Sequence, residues 1–309
     1  VKQVIMALEV KKNCILFIDE AHTMGGAGAT SNPAATGYTL TQADVGAAIT
    51  VRVSYTDNKG FNESVTSSAT SSIANVNDVV SVFNLSTLAS GNGSTGFVIN
   101  GVDAHDNSGF SVSTAGDING DGYADIIIGA AKADPNGLAS GEAYVVFGKA
   151  SGYSASLDLS SLNGTTGFVL NGESSTNYTG WEVNTAGDIN NDGYDDVLIS
   201  AWADGAGSSY VVFGKASGYS SSLNLSSLNG TTGFVINGVA AGDESGDSVS
   251  SAGDINNDGY ADLIIGAPGH DSNTGEAYVV FGKASGYSSS LNLSTLNGTT
   301  GFTLNGASS

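Results

Sequence analysis

Three short stretches of this sequence concentrate oxygen-bearing side chains in a pattern that suits a hard metal ion. In the first, Asp117, Asn119, Asp121 and Asp125 stand at loop positions 1, 3, 5 and 9, with Gly122 at position 6. The pattern returns as Asp188, Asn190, Asp192, Gly193 and Asp196, and again as Asp254, Asn256, Asp258, Gly259 and Asp262. Calcium takes about six to eight oxygen ligands, and alternate residues of one tight loop can present four of them. The backbone carbonyls of Tyr123, Tyr194 and Tyr260, with water, would supply the rest. The glycine permits a sharp turn that a side chain would obstruct. Asp and Asn also close metal-free turns through their own backbone. Three copies with every ligand position kept favour the metal, because converging carboxylates repel one another unless a cation neutralises them. About three Ca²⁺ sites are therefore expected. An EF-hand loop begins in the same way but needs a bidentate acid at position 12 and a following helix. Position 12 here is Ile128, Ile199 or Ile265, each inside an apolar, β-rich run.

The elements that must carry these loops repeat with them. YVVFGKASGYS recurs from Tyr144, Tyr210 and Tyr278, and a GF-x-x-NG string recurs from Gly96, Gly167, Gly233 and Gly301 in steps of 71, 66 and 68 residues. Three phased markers with one period identify a repeat array. Each unit reads as short strands, exemplified by residues 97–100, 124–130 and 143–147. Gly and Asn clusters separate them, and no helical period appears. Four short strands per unit fit a propeller blade, which buries both faces against its neighbours.

The nine-position loop that ends in Asp and runs into a strand resembles the FG-GAP repeats of integrin-α-type β-propellers. The resemblance covers residues 82–309. Gly266-Ala267-Pro268 preserves the tripeptide that names the family, whereas Gly129-Ala130-Ala131 and Ser200-Ala201-Trp202 depart from it. At the blade start, Ser108-Gly109, Thr179-Gly180 and Ser245-Gly246 replace the usual Phe-Gly, which points to a bacterial surface protein outside the eukaryotic integrin group. The resemblance implies an all-β fold over 79–309. It would contain three FG-GAP blades and the start of a fourth, an incomplete propeller whose open edges invite pairing with another chain. It also implies metal loops on one face and ligand binding on the other.

Two other segments precede the array. Residues 31–78 include Ile49, Val51, Val53 and Tyr55 alternating with Thr50, Arg52 and Ser54, a half-buried strand, and Asp57–Gly60 suits a hairpin turn. This stretch resembles the C-terminal half of the Ig-like or cadherin-like repeats of large bacterial surface proteins, which implies a partial β-sandwich. Within residues 1–30, ILFIDEAHTMGGAGAT (15–30) is similar to the Walker B strand of Clp-type AAA+ ATPases. That resemblance implies Mg²⁺ binding at Asp19 and water activation at Glu20. No G-x-x-x-x-G-K-[ST] phosphate loop accompanies it, so nucleotide cannot be held. The segment reads as a non-functional fragment.

Composition narrows the function classes. With 9 basic against 30 acidic residues, the net charge of −21 argues against nucleic-acid binding. No apolar run reaches about 18 residues, so no membrane insertion is expected. Cys14 is the only cysteine, and a disulfide-free extracellular chain needs another staple, for which bound metal serves. The chain starts at Val1 and reads as part of a longer product. His22, His105 and His270 share no ligand spacing and are expected to be solvated loop residues. Trp181 and Trp202 are expected to pack within or between blades, with carbohydrate stacking as the alternative. Asn163-Gly164-Thr165 and Asn229-Gly230-Thr231 are glycosylation sequons only in a eukaryotic secretory pathway. No nucleophile elbow or other catalytic constellation stands out.

The sequence thus describes a non-enzymatic, calcium-binding adhesion or ligand-binding module of a large secreted or cell-surface protein. Its partner would be an extracellular protein or glycan. The alternatives are a non-catalytic accessory array of a secreted hydrolase or phospholipase and, more remotely, a Clp-like ATPase fragment.

Overall fold

The computed structural model describes residues 52–56, 62–66, 84–203 and 205–307. The chain divides into two compact units, Val1–Phe83 and Asn84–Ser309. In the first, strands β1 (Arg52–Thr56) and β2 (Asn62–Thr66) pair antiparallel, with Arg52 opposite Thr66 and Thr56 opposite Asn62. The expected turn at 57–60, the remainder of the Ig-like segment and all of residues 1–30 lie outside the described residues.

The second unit is built from sheets of one pattern. The first blade joins β4 (Val112–Gly116), β5 (Asp125–Ala130), β6 (Glu142–Val146) and β8 (Gly167–Asn171) as successive antiparallel neighbours. The second repeats this with β9 (Val183–Gly187), β10 (Asp196–Ala201), β11 (Ser208–Val212) and β13 (Gly233–Asn237). The third uses β14 (Ser248–Gly253), β15 (Asp262–Ala267), β16 (Glu276–Val280) and β18 (Gly301–Asn305). The inner strands β4, β9 and β14 neighbour one another in that order, the arrangement of propeller blades around an axis.

Apolar runs form these strands because both sheet faces are covered. All six residues of β10 are buried, and β-branched residues suit such a packed, pleated surface. Between the first and second blades, Ile118, Ile127, Val145 and Phe168 pack on Val183, Val197, Ile199 and Tyr210. Between the second and third, Ile189, Leu198, Val211 and Phe234 pack on Val249, Leu263, Ile265 and Tyr278.

A fifth, three-residue strand in each repeat belongs to the preceding blade. β12 (Ser222–Asn224), from the connection between β11 and β13, runs parallel to β8; β17 (Ser290–Asn292) runs parallel to β13. At the start of the array β7 (Ser156–Asp158) pairs in the same way with β3 (Val98–Asn100). Amide side chains extend these pairings, Asn171 donating to Asn224 and Asn237 to Asn292, each at 2.9 Å.

Candidate metal loops

Each candidate loop joins the inner strand of a blade to the next strand, and a β-bulge shapes its entry. In the first blade Thr114 pairs with Ile126 and Gly116 with Asp125, which leaves Ala115 as the extra residue. Equivalent irregularities occur after Thr185 and Ser251. A bulge bends its strand and re-aims the residues beyond it. The Thr114 hydroxyl fixes this one by accepting from the Gly116 amide at 3.0 Å.

Within the first loop, side-chain oxygens gather backbone amides. Asp117 accepts from the Asp121 amide through Oδ1 (3.0 Å) and from the Gly122 amide through Oδ2 (2.9 Å). Asn119 Oδ1 accepts from the Asp121 amide (2.9 Å), and Asp121 Oδ1 accepts from the Tyr123 amide (2.9 Å). The second loop repeats every bond at Asp188, Asn190 and Asp192. The third repeats them at Asp254, Asn256 and Asp258. Residues 1, 3 and 5 of each loop are thus brought together as the spacing requires. The backbone conforms: position 4 has positive φ and is Gly120, Asn191 or Asn257, residue types that tolerate the left-handed region. Gly122 has φ +86 with nothing within 4 Å of a Cβ placed there, so backbone conformation and not space selects glycine.

The ninth position does something else. Asp125, Asp196 and Asp262 are fully buried. Asp125 accepts from the Ile118 amide at 3.0 Å and the Gly148 amide at 2.7 Å. Asp196 does the same with Ile189 and Gly214, and Asp262 with Ile255 and Gly282. These carboxylates tie the loop to the glycine that lies just beyond the third strand. Among the described residues no three side chains drawn from His, Cys, Asp and Glu converge closely enough to hold a metal ion unaided. Burial pushes the Asp125 carboxyl up to about 6 and that of Asp196 up to about 8, partly offset by the two amide bonds and reinforced by the loop's other aspartates. The donors gathered by each loop are all oxygen, the chemistry a hard cation needs.

The following blade grips the loop from outside. Ile118 is fully buried, and its carbonyl accepts from the Lys215 amide (3.0 Å) and the Tyr219 hydroxyl (2.7 Å). Tyr219 also stacks on Phe168, ring centroids 4.7 Å apart. Lys283 and Tyr287 make the equivalent bonds to Ile189, and Tyr287 stacks on Phe234. The FGKASGY motif is therefore an inter-blade strap, a role its recurrence alone does not reveal.

The histidines and tryptophans divide between expectation and correction. His270 is not a solvated loop residue. Its ring nitrogens lie 3.1 Å from Asp243, 3.3 Å from Glu276 and 3.5 Å from Asp271, and the Asp243 contact leads in raising its pKa. His105 is exposed, and His22 lies outside the described residues. Trp181 packs on Phe110 of the first blade (4.5 Å) and on Trp202 of its own (5.3 Å), at the end of the blades opposite the loops.

Comparison with known proteins agrees with this architecture. A family model described as "FG-GAP repeat" matches residues 108–146 and 245–280. The chain is 29% identical over 191 residues to "Integrin alpha-5" of Xenopus laevis, covering 60% of this chain and 16% of that protein. It is 30% identical over 176 residues to "Integrin alpha-V" of Gallus gallus, covering 53% and 15% respectively. With "Integrin alpha-PS5" of Drosophila melanogaster it shares 37% identity over 100 residues, covering 32% and 10%. These matches span a tenth to a sixth of each relative's length. Among the described residues no helix is long and apolar enough to cross a membrane. The chain carries FG-GAP repeats on propeller-type blades and is similar in that region to integrin α chains.

Proposed function

We propose that this chain is a calcium-binding, extracellular adhesion or ligand-binding module of a larger secreted or cell-surface protein, and that it performs no catalysis. The observation that carries this reading is the threefold recurrence of one loop, in which the side chains at positions 1, 3 and 5 each accept from a backbone amide of the same loop. Asp117, Asn119 and Asp121 would hold the first ion with the Tyr123 carbonyl, and Asp125 would close the set from the blade. Asp188, Asn190, Asp192, Tyr194 and Asp196 would hold the second. The third would lie among Asp254, Asn256, Asp258, Tyr260 and Asp262. When bound, the ion neutralises carboxylates that otherwise repel one another. It thereby stiffens the blade end held by the straps.

The similarity to integrin α chains supports the adhesive, extracellular part of the reading. The partner, a protein or glycan, would dock at the opposite end, where the Phe110–Trp181–Trp202 cluster lies. The test is thermal unfolding of the full chain in calcium, magnesium and chelator. Native-state binding adds roughly 3–4 kcal/mol per site at calcium 100 to 1,000 times Kd. A calcium-selective rise in Tm is expected. Identical melts in all three conditions would overturn the metal assignment.

A further inference from the structure

The three loops differ at one position whose consequence lies in another blade. Position 8 is Ala124 in the first loop and Ala261 in the third, but Asp195 in the second. The Asp195 carboxylate reaches back to the first blade, where its Oδ2 accepts from the backbone amide of Asp117 at 2.8 Å. Asp195 also donates its own amide to the Asp117 carbonyl at 3.3 Å. The first residue of the first loop is therefore held on both its backbone groups by one residue of the second blade. Room for the carboxylate exists only because residue 116 is glycine, since a Cβ there would lie 2.2 Å from Asp195 Oδ2. In the next pair of blades the backbone arrangement is the same, Ala261 donating to the Asp188 carbonyl at 3.2 Å, but a methyl group stands where the carboxylate would be. Loops one and two thus share their ligand pattern and their straps. Besides Gly120 against Asn191 at position 4, they differ in that only the first has the backbone of its leading aspartate held by a carboxylate from the neighbouring blade.

Resting on the calcium reading above, we propose that Asp195 is a positioning residue for the cation of the first loop, acting from the neighbouring blade and making that loop the tightest of the three. Two effects point the same way. A charge-assisted hydrogen bond fixes the Asp117 backbone, from which the first ligand side chain springs. The carboxylate also adds negative charge beside the loop, and charge count and rigidity are the two quantities that tune calcium loops over decades of affinity. The third loop receives no such charge, and the residue placed like Asp195 in its own blade, Ala261, carries only a methyl group. The first loop is expected to bind more tightly than either of the others.

The amides of Gly122, Gly193 and Gly259 each donate to the first aspartate of their own loop. They report each site separately in amide NMR spectra of the full chain titrated with calcium. Asp195→Asn keeps an acceptor oxygen and removes the charge, and it should weaken calcium at Gly122 by about fivefold, leaving Gly259 unchanged. Asp195→Ala should weaken it further. Ala261→Asp installs the missing carboxylate beside Asp188 and should tighten the site at Gly193, a gain that general destabilisation cannot mimic. The inference is overturned if Asp195→Asn leaves the Gly122 titration unmoved, or if it shifts all three glycines alike. A wild-type chain in which the three glycines respond equally also overturns it. A wild-type chain in which none responds overturns the calcium reading itself.

Discussion

The second and third blades have nearly the same sequence and occupy different surroundings. Ile189 is fully buried beneath the strap of the third blade, whereas its counterpart Ile255 is 50% exposed. Phe234 is sandwiched by Phe213 and Tyr287; Phe302 packs on Phe281 without a tyrosine partner among the described residues. Every residue of β13's counterpart beyond Phe302 is exposed, while β13 itself alternates between buried and half-buried. One repeat sequence is therefore buried to two different extents among the described residues, more deeply where a following repeat packs on it. That is the nearest-neighbour behaviour of a stacked array, where each unit's stability is partly a property of the contact with the next.

The sharpest way to test this comparison is to truncate equivalent phenylalanines. Phe234→Ala should cost about 3–5 kcal/mol in urea unfolding, and Phe302→Ala distinctly less, because only the first leaves a closed cavity. Equal losses would break the comparison. The second test is pH. The Asp196 carboxyl is raised from 3.8 to about 8 by burial, so the folded state holds its proton more tightly than the unfolded chain does. Its contribution is fully present below pH 4 and is lost as pH rises through about 8. Melts in chelator should therefore show stability falling from pH 4 to pH 8, with a smaller component from Asp125 ending near pH 6. Asp196→Asn should flatten the upper part of that slope, and an unchanged slope would reject the assignment. The smallest effect concerns one hydroxyl. Tyr287→Phe removes the bond to the Ile189 carbonyl and should cost about 1 kcal/mol by the same unfolding assay. Tyr153→Phe, whose hydroxyl among the described residues accepts from the Lys149 amide of its own repeat and bonds to no neighbouring blade, should cost less.

The features legible in the sequence are those that are local in it. The loop pattern from Asp117 to Asp125 is contiguous, and the amide bonds within it span seven residues or fewer. The strands named at 97–100, 124–130 and 143–147 are legible to within a residue, because runs such as Ile126–Ile128 are apolar on both faces, whereas the more polar inner strand Val112–Gly116 is not. The straps are not, since Tyr219 meets Ile118 across 101 residues. β12 and β17 are three-residue strands whose parallel partners lie more than fifty residues away, and only the recurring S-L-[DN]-L-S string hints at a fixed role. The inward turn of Asp125 is hidden for a similar reason: Gly148, which holds it, belongs to the far end of the third strand. The surroundings of His270 are equally non-local, because Asp243, its nearest carboxylate, is supplied by a different connection of the blade.

The fifth strand has a consequence for how such an array grows. Because Ser222–Asn224 completes the blade before its own, sequence repeats and blades are out of phase, like roof tiles laid over the row below. No single cut through the chain separates two blades cleanly; severing it between Asn171 and Val183 strips the first blade of its outermost strand. A duplicated segment of one period, by contrast, arrives already carrying the strand its neighbour lacks. Lengthening such a chain by whole repeats is therefore structurally easier than dividing it.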